Sequence, residues 1–190
     1  MVKRTFAVHA LTPDRWRDFT ALFGRSGACG GCWCMYWRQT HAEFERKKGA
    51  ANRRAMNALV RAGEVPGLLA YVDGEPAGWC SVGPRECFSR LARSRILAPV
   101  DKEPVWSVVC FFVARARRGQ GLTVRLLEAA KAHARRGGGR ILEGYPVEPR
   151  QSPAPPAFVY TGLATAFRQA GFTEVARRSP TRPIMRCRLR

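Results

Sequence analysis

The chain has 190 residues, 46% hydrophobic and 25% charged, a balance that excludes a disordered chain and suits one domain spanning residues 1–190. No apolar run reaches the roughly 18 residues of a membrane span, so no membrane-crossing helix is expected. Lys and Arg number 33 against 14 Asp and Glu, a formal net charge of +19, which favours anionic ligands and polyanionic partners.

Met1-Val2-Lys3-Arg4 leads into an alternating segment and not into an apolar signal core, which predicts a cytoplasmic protein. Residues 4–11 alternate and predict a strand. Thr12-Pro13 opens a helix with Trp16, Phe19 and Phe23 on one face, closed by Gly24. Residues 24–38 form a Gly, Cys and aromatic loop. Thr40-His41-Ala42-Glu43 is a capping box for a second helix reaching about Ala62. Leu68–Val72, Asp73-Gly74 and Ala77–Val82 predict a hairpin. Residues 86–98 read as a short helix or loop. Val105–Val113 is apolar and β-prone, a central strand. A helix is expected from Gly121 to about Arg136, and a strand over Ile141–Val147. A Pro-rich loop over Pro146–Pro156 follows, then a helix over Leu163–Ala170 and strands over Phe172–Ala176 and Ile184–Leu189.

The strand–loop–helix at 105–136 carries the chemistry. Arg115-Ala116-Arg117-Arg118-Gly119-Gln120-Gly121 leaves a buried strand, and a helix starts at once. Glycines let backbone N–H groups approach a diphosphate. The helix N-terminus adds unpaired donors and partial positive charge. Arg117 and Arg118 add side-chain attraction.

The element order and two motifs resemble the GNAT (Gcn5-related N-acetyltransferase) superfamily over essentially the whole chain. Arg118-Gly119-Gln120-Gly121-Leu122 is similar to its acetyl-CoA pyrophosphate loop, and Ala170-Gly171-Phe172 to the tripeptide that follows its last helix. The resemblance implies an α/β (α+β) fold: a mostly antiparallel mixed sheet of about seven strands flanked by four helices, in the order β-α-α-β-β-β-α-β-α-β-β. It implies acetyl-CoA or another acyl-CoA as donor, with no metal. Phe111, Phe112 and Val113 would bind the pantetheine arm, and Arg118, Gly119, Gln120, Gly121, Leu122 and Thr123 the diphosphate. The strand at 141–147 would splay away to open the donor groove.

Two features depart from the family pattern. Ala116 stands where Gln or Arg often begins the loop. Tyr160 and Phe167 stand where an Asn and a general-acid Tyr often lie. Phe167 cannot donate a proton, which leaves Tyr160 as the nearest replacement. Backbone N–H groups of the strand could polarise the acyl carbonyl. A base must lie within hydrogen-bond reach of the amine. Glu143, in a strand beside the groove, is the candidate; Glu86 and Glu103 rank below it.

Cys29, Cys32 and Cys34 lie within six residues and form a candidate metal set, though their spacing is tight for one tetrahedral ion. By the family's layout the same loop overhangs the acceptor, with Trp33, Met35, Tyr36 and Trp37 as walls and Arg38 on an acceptor's carboxylate or phosphate.

The leading functional expectation is transfer of an acyl group, acetyl first, to a primary amine of a small molecule by direct attack. The alternatives keep the fold and change the partner: aminoacyl-tRNA as donor or acceptor, or a non-catalytic RNA-binding module. The surplus of Arg motivates the first; the absent tyrosine acid favours the second, and the intact Gly loop counts against it. Either a monomer or a homodimer fits.

Overall fold

The computed structural model describes residues 4–149 and 158–190. Met1–Lys3 and the 150–156 part of the Pro-rich loop lie outside the described residues. Seven strands form one sheet: β1 (Phe6–Ala10), β2 (Gly67–Val72), β3 (Glu75–Pro84), β4 (Trp106–Val113), β5 (Ile141–Gly144), β6 (Thr173–Arg177) and β7 (Pro183–Arg188). Their order across the sheet is β1-β2-β3-β4-β5-β7-β6. Every neighbouring pair is antiparallel except β4 and β5. The α-helices are α1 (Trp16–Phe23), α2 (His41–Lys47), α3 (Ala50–Arg61), α4 (Ser89–Ala92), α5 (Leu122–Arg136) and α6 (Ala164–Gln169).

Local chemistry explains these elements. The β2–β3 turn places Asp73 (φ 54°) and Gly74 (φ 81°) in the left-handed region, the turn expected of Asp-Gly. The Thr40 hydroxyl accepts from the Glu43 N–H, and the Glu43 carboxylate accepts from the Thr40 N–H, so α2 opens on a capping box. The expected single helix to Ala62 is broken at Lys48-Gly49, because Lys48 leaves the helical region (ψ 144°) and Gly49 takes φ 79°. That break and the short α4 raise the α-helix count among the described residues from the expected four to six. The fold class, one mostly antiparallel mixed sheet of seven strands with helices, stands as expected.

The two sheet faces carry different cores. Leu68, Cys80, Val108, Phe111 and Leu142 pack under α5 and α6 with Leu126, Leu127 and Phe167. Leu69 and Trp79, on the other face, pack with Phe19, Phe23, Trp33, Met35 and Met56. In the pairing of β3 with β4, Ser81 meets Cys110 and Val82 meets Val108, so Val109 is an extra residue on β4. Such a bulge bends and twists its strand. The β4–β5 ladder runs Trp106–Leu142, Ser107–Glu143 and Val108–Gly144 and stops there, at the bulge. Beyond it the two strands part. The strand expected over 141–147 therefore ends at Gly144, and Val147 instead bridges Leu163 in parallel.

Candidate active site

The opening between β4 and β5 faces the carboxyl ends of two parallel strands, where α/β sheets place ligands. At its mouth β4 passes through a 3-10 turn (Arg115–Arg117) into Arg118–Gly121 and α5. Gly119 and Gly121 both have φ 72°, with no atom within 4 Å of where a Cβ would stand. Gly121 is the N-cap of the 15-residue α5. The first N–H groups of the helix have no intrahelical acceptor. Gly119 and Gln120, just before them, are exposed. Arg118 Nε donates to Val113 O (3.2 Å), so the arginine folds back along β4. Gln120 Nε2 donates to Ala116 O (3.1 Å), and its Oε1 accepts from Arg4 (2.8 Å). The buried Leu122 side chain anchors the turn against Val72 and Ala77, leaving only its backbone for a ligand.

Inside the opening, the Phe111 N–H donates to Tyr160 O at 2.6 Å. The returning segment is held by Val147 N–H to Gly162 O (2.8 Å) and Ala164 N–H to Val147 O (2.9 Å). Tyr160 thus lies beside the strand edge at the divergence, and its ring meets Tyr36 edge-on at 6.0 Å. Burial first, then the neighbouring Tyr36 and Cys110, push the Tyr160 phenol above the ordinary tyrosine range. It stays protonated at neutral pH. Phe167 is fully buried against Phe111 and Phe172, a packing residue.

Glu143 is not beside the open groove, which corrects its expected role as general base. It is 1% exposed and lies on the paired part of β5. One carboxylate oxygen accepts from Arg85 (3.0 Å) and the Tyr145 hydroxyl (2.6 Å), the other from Arg186 Nε (2.7 Å). Ser107 joins through Tyr145 at 2.9 Å. Three of the carboxylate's roughly four lone-pair sites are taken, and burial keeps an incoming amine from the fourth.

The cysteine loop is partly core. Trp33 stacks on Phe23 (centroids 5.8 Å), and Met35 is buried in the same cluster, so neither walls the acceptor cleft. Arg38 donates to Pro66 O (3.3 Å) and lies over Phe88, and its Nε is buried without a partner among the described residues. Tyr36 and Trp37 do line a cavity of about 360 Å³, with Thr40, His41, Arg90, Arg93 and Ser94. Sequence reasoning missed Arg90 and Arg93; the basic run at 90–95 was its only signal. A larger cleft of about 500 Å³ lies at the β1 edge, lined by His9, Asp14 and Tyr71 among others, with no residue of the β4–β5 opening.

Cys34 takes a left-handed backbone (φ 57°) and turns its thiol into the sheet, where it accepts from Trp79 Nε1 (2.9 Å). Burial raises its pKa, but hydrogen bonds from Cys110, Trp79 and Ser81 outweigh that and hold the thiol below its ordinary value. Cys29 is exposed, while Cys34 is buried. No group of three or more metal-ligating side chains exists among the described residues.

The sheet opens between β4 and β5, and the N-terminus of α5 stands at the mouth of that opening. The sequence model of the acetyltransferase (GNAT) family matches residues 30–154. The chain belongs to this family and is an N-acetyltransferase-like enzyme. Solved structures share the fold. One is a GNAT-family acetyltransferase from Listeria monocytogenes: 12% identity, TM-score 0.58, covering 97% of this chain and 95% of that one. Another is yncA from Salmonella typhimurium, solved with acetyl-CoA: 15% identity, TM-score 0.55, 97% and 94% covered. A third is the PaiA N-acetyltransferase of Thermoplasma acidophilum in complex with coenzyme A: 11% identity, TM-score 0.54, 97% and 99% covered. No curated protein matches the chain.

Proposed function

We propose that this enzyme transfers an acyl group, acetyl first, from acyl-CoA to a primary amine of a small molecule by direct attack in a ternary complex. The observation that carries this reading is the bulge at Val109, which opens the sheet between β4 and β5 toward the Gly119–Gly121 cradle. Two structural relatives were solved with acetyl-CoA or coenzyme A. In this reading the N–H groups of Gly119–Thr123 hold the diphosphate, and the 111–113 edge holds the pantetheine arm. The Phe111 N–H exchanges Tyr160 O for a donor carbonyl. Tyr160 gives the proton to the leaving CoA thiolate. The neutral amine attacks the thioester carbonyl; as the C–N bond forms and the C–S bond breaks, the proton lost by the amine nitrogen passes through solvent to the Tyr160 phenolate and restores the phenol.

The residues 1–190 act as one domain in this proposal, since strands from Phe6 to Arg188 share the sheet. Seven free thiols suit a reducing compartment such as the cytoplasm, and no helix is long and apolar enough to cross a membrane. Titration with acetyl-CoA tests the proposal: the melting temperature rises if the donor binds, and no rise at millimolar acetyl-CoA overturns it.

Charge favours a second reading, with aminoacyl-tRNA as partner. Ion pairs engage Arg15, Lys48, Arg85, Lys131, Arg168, Arg177, Arg186 and Arg188. Arg46, Arg53, Arg54 and Arg61, exposed on α2 and α3, stand outside those pairs. A steep fall of RNA affinity with salt would support this reading, and a flat one would remove it.

A further inference from the structure

The cavity beside Tyr36 carries a chemical signature of its own. Arg90 is fixed in place: its Nε donates to Tyr36 O (2.8 Å), and its guanidinium lies 3.9 Å from the Tyr36 ring centroid. Its backbone N–H donates to Trp37 O (3.2 Å), tying α4 to the loop. Arg90 Nη2 and Trp37 Nε1 are both buried and have no acceptor among the described residues. Trp37 is only 8% exposed. Donors buried without partners are costly, and native proteins rarely keep them unless something outside the chain completes them.

The electrostatics point the same way. The cavity wall contains Arg90, Arg93 and His41 and no carboxylate. The nearest acids on α2 are already engaged, Glu43 with Thr40 and Glu45 with Lys48. Tyr36 and Trp37 meet edge-on at 5.4 Å and supply aromatic surface to the cavity. Tyr36 also touches Tyr160, so the cavity and the β4–β5 opening share a wall.

We propose that this cavity binds a carboxylate of the acceptor, with Arg90 and Arg93 on the anion, so that the enzyme acts on amines that also carry a carboxylate, of the amino-acid type with a flat or apolar body. This rests on the transferase reading for its place in a reaction, though the anion site itself does not. Planar donors fixed by stacking suit a planar carboxylate. Arg90 thereby takes the role the sequence assigned to Arg38.

Calorimetry with two near-isosteric probes tests the proposal, using the full chain with and without saturating acetyl-CoA. Indole-3-acetate carries the carboxylate, and indole-3-acetamide replaces it with a neutral amide. The acetate is expected to bind about tenfold or more tightly, the scale of one charge-assisted contact. Arg93→Ala, at an exposed position, should erase most of that difference and leave acetyl-CoA affinity unchanged. Arg90→Lys keeps the charge but loses the fixed planar donors, and should also weaken the acetate. Equal binding of the two probes overturns the proposal, as does absence of binding for both at millimolar concentration. Discrimination between the probes without any acetyl-CoA binding would uphold the anion site and overturn the transferase reading.

Discussion

The two halves of β4 differ in how their polar neighbours are satisfied. Along Trp106–Val108 the strand is paired on both sides, and the buried Glu143 below it has Arg85, Arg186 and Tyr145 as partners. Along 109–113 one edge is released. Around that edge stand the Gly119–Gly121 cradle and the orphan donors of Trp37 and Arg90. The completed network holds structure, and the released edge leaves backbone groups free to take a ligand. The bulge at Val109 separates the two.

Breaking the completed half should cost the most. Glu143→Ala leaves two guanidiniums without their carboxylate, and removing one partner of a buried ion pair costs about 3–5 kcal/mol. Urea unfolding should show it. A fully stable variant with lost activity would return Glu143 to the catalytic list. Tyr160→Phe acts in the open half: it should lower kcat about 100-fold or more, the usual scale for losing a general acid, with little change in stability. Because the phenol is held above the ordinary tyrosine range, the wild-type rate should not decline until pH passes that range. A decline near neutral pH would assign the acid elsewhere.

Gln120→Glu puts a carboxylate in the cradle and should weaken acetyl-CoA about tenfold, a loss of about 1.4 kcal/mol. An unchanged dissociation constant would mean the diphosphate lies elsewhere. The smallest effect is expected at Asp101, which caps the completed half. Hydrogen bonds from Arg186 lower its pKa, so its stabilising contribution is full above the ordinary carboxylate value and fades as pH falls through the lowered one. Asp101→Asn should therefore flatten a slight acid dependence of the melting temperature.

Much of the fold was legible because local rules act over a few residues. Asp73-Gly74, the Thr40 capping box and the glycines of the cradle each declare their own geometry. The break at Gly49 was visible too, as a glycine inside a helical pattern, but propensity alone does not say whether a glycine interrupts a helix. The β4 bulge was not legible, since an apolar run such as Val105–Val113 has no alternation to show a slipped register. Glu143 misled for a related reason. Its partners Arg85 and Arg186 lie 58 and 43 residues away, and no sequence period reports a pairing across three strands. A loop gives no facing rule, so the sequence does not distinguish Trp33 and Met35 from pocket walls. Their burial depends on the left-handed turns at Trp33 and Cys34.

The central claim is that the released edge of β4 and the cradle below it form one donor site. Backbone amide NMR with and without acetyl-CoA tests it most directly. The account predicts that the Phe111 amide and those of Gly119–Thr123 shift together on binding. Shifts confined to the cleft by His9 and Tyr71, or movement at the cradle without Phe111, would contradict it.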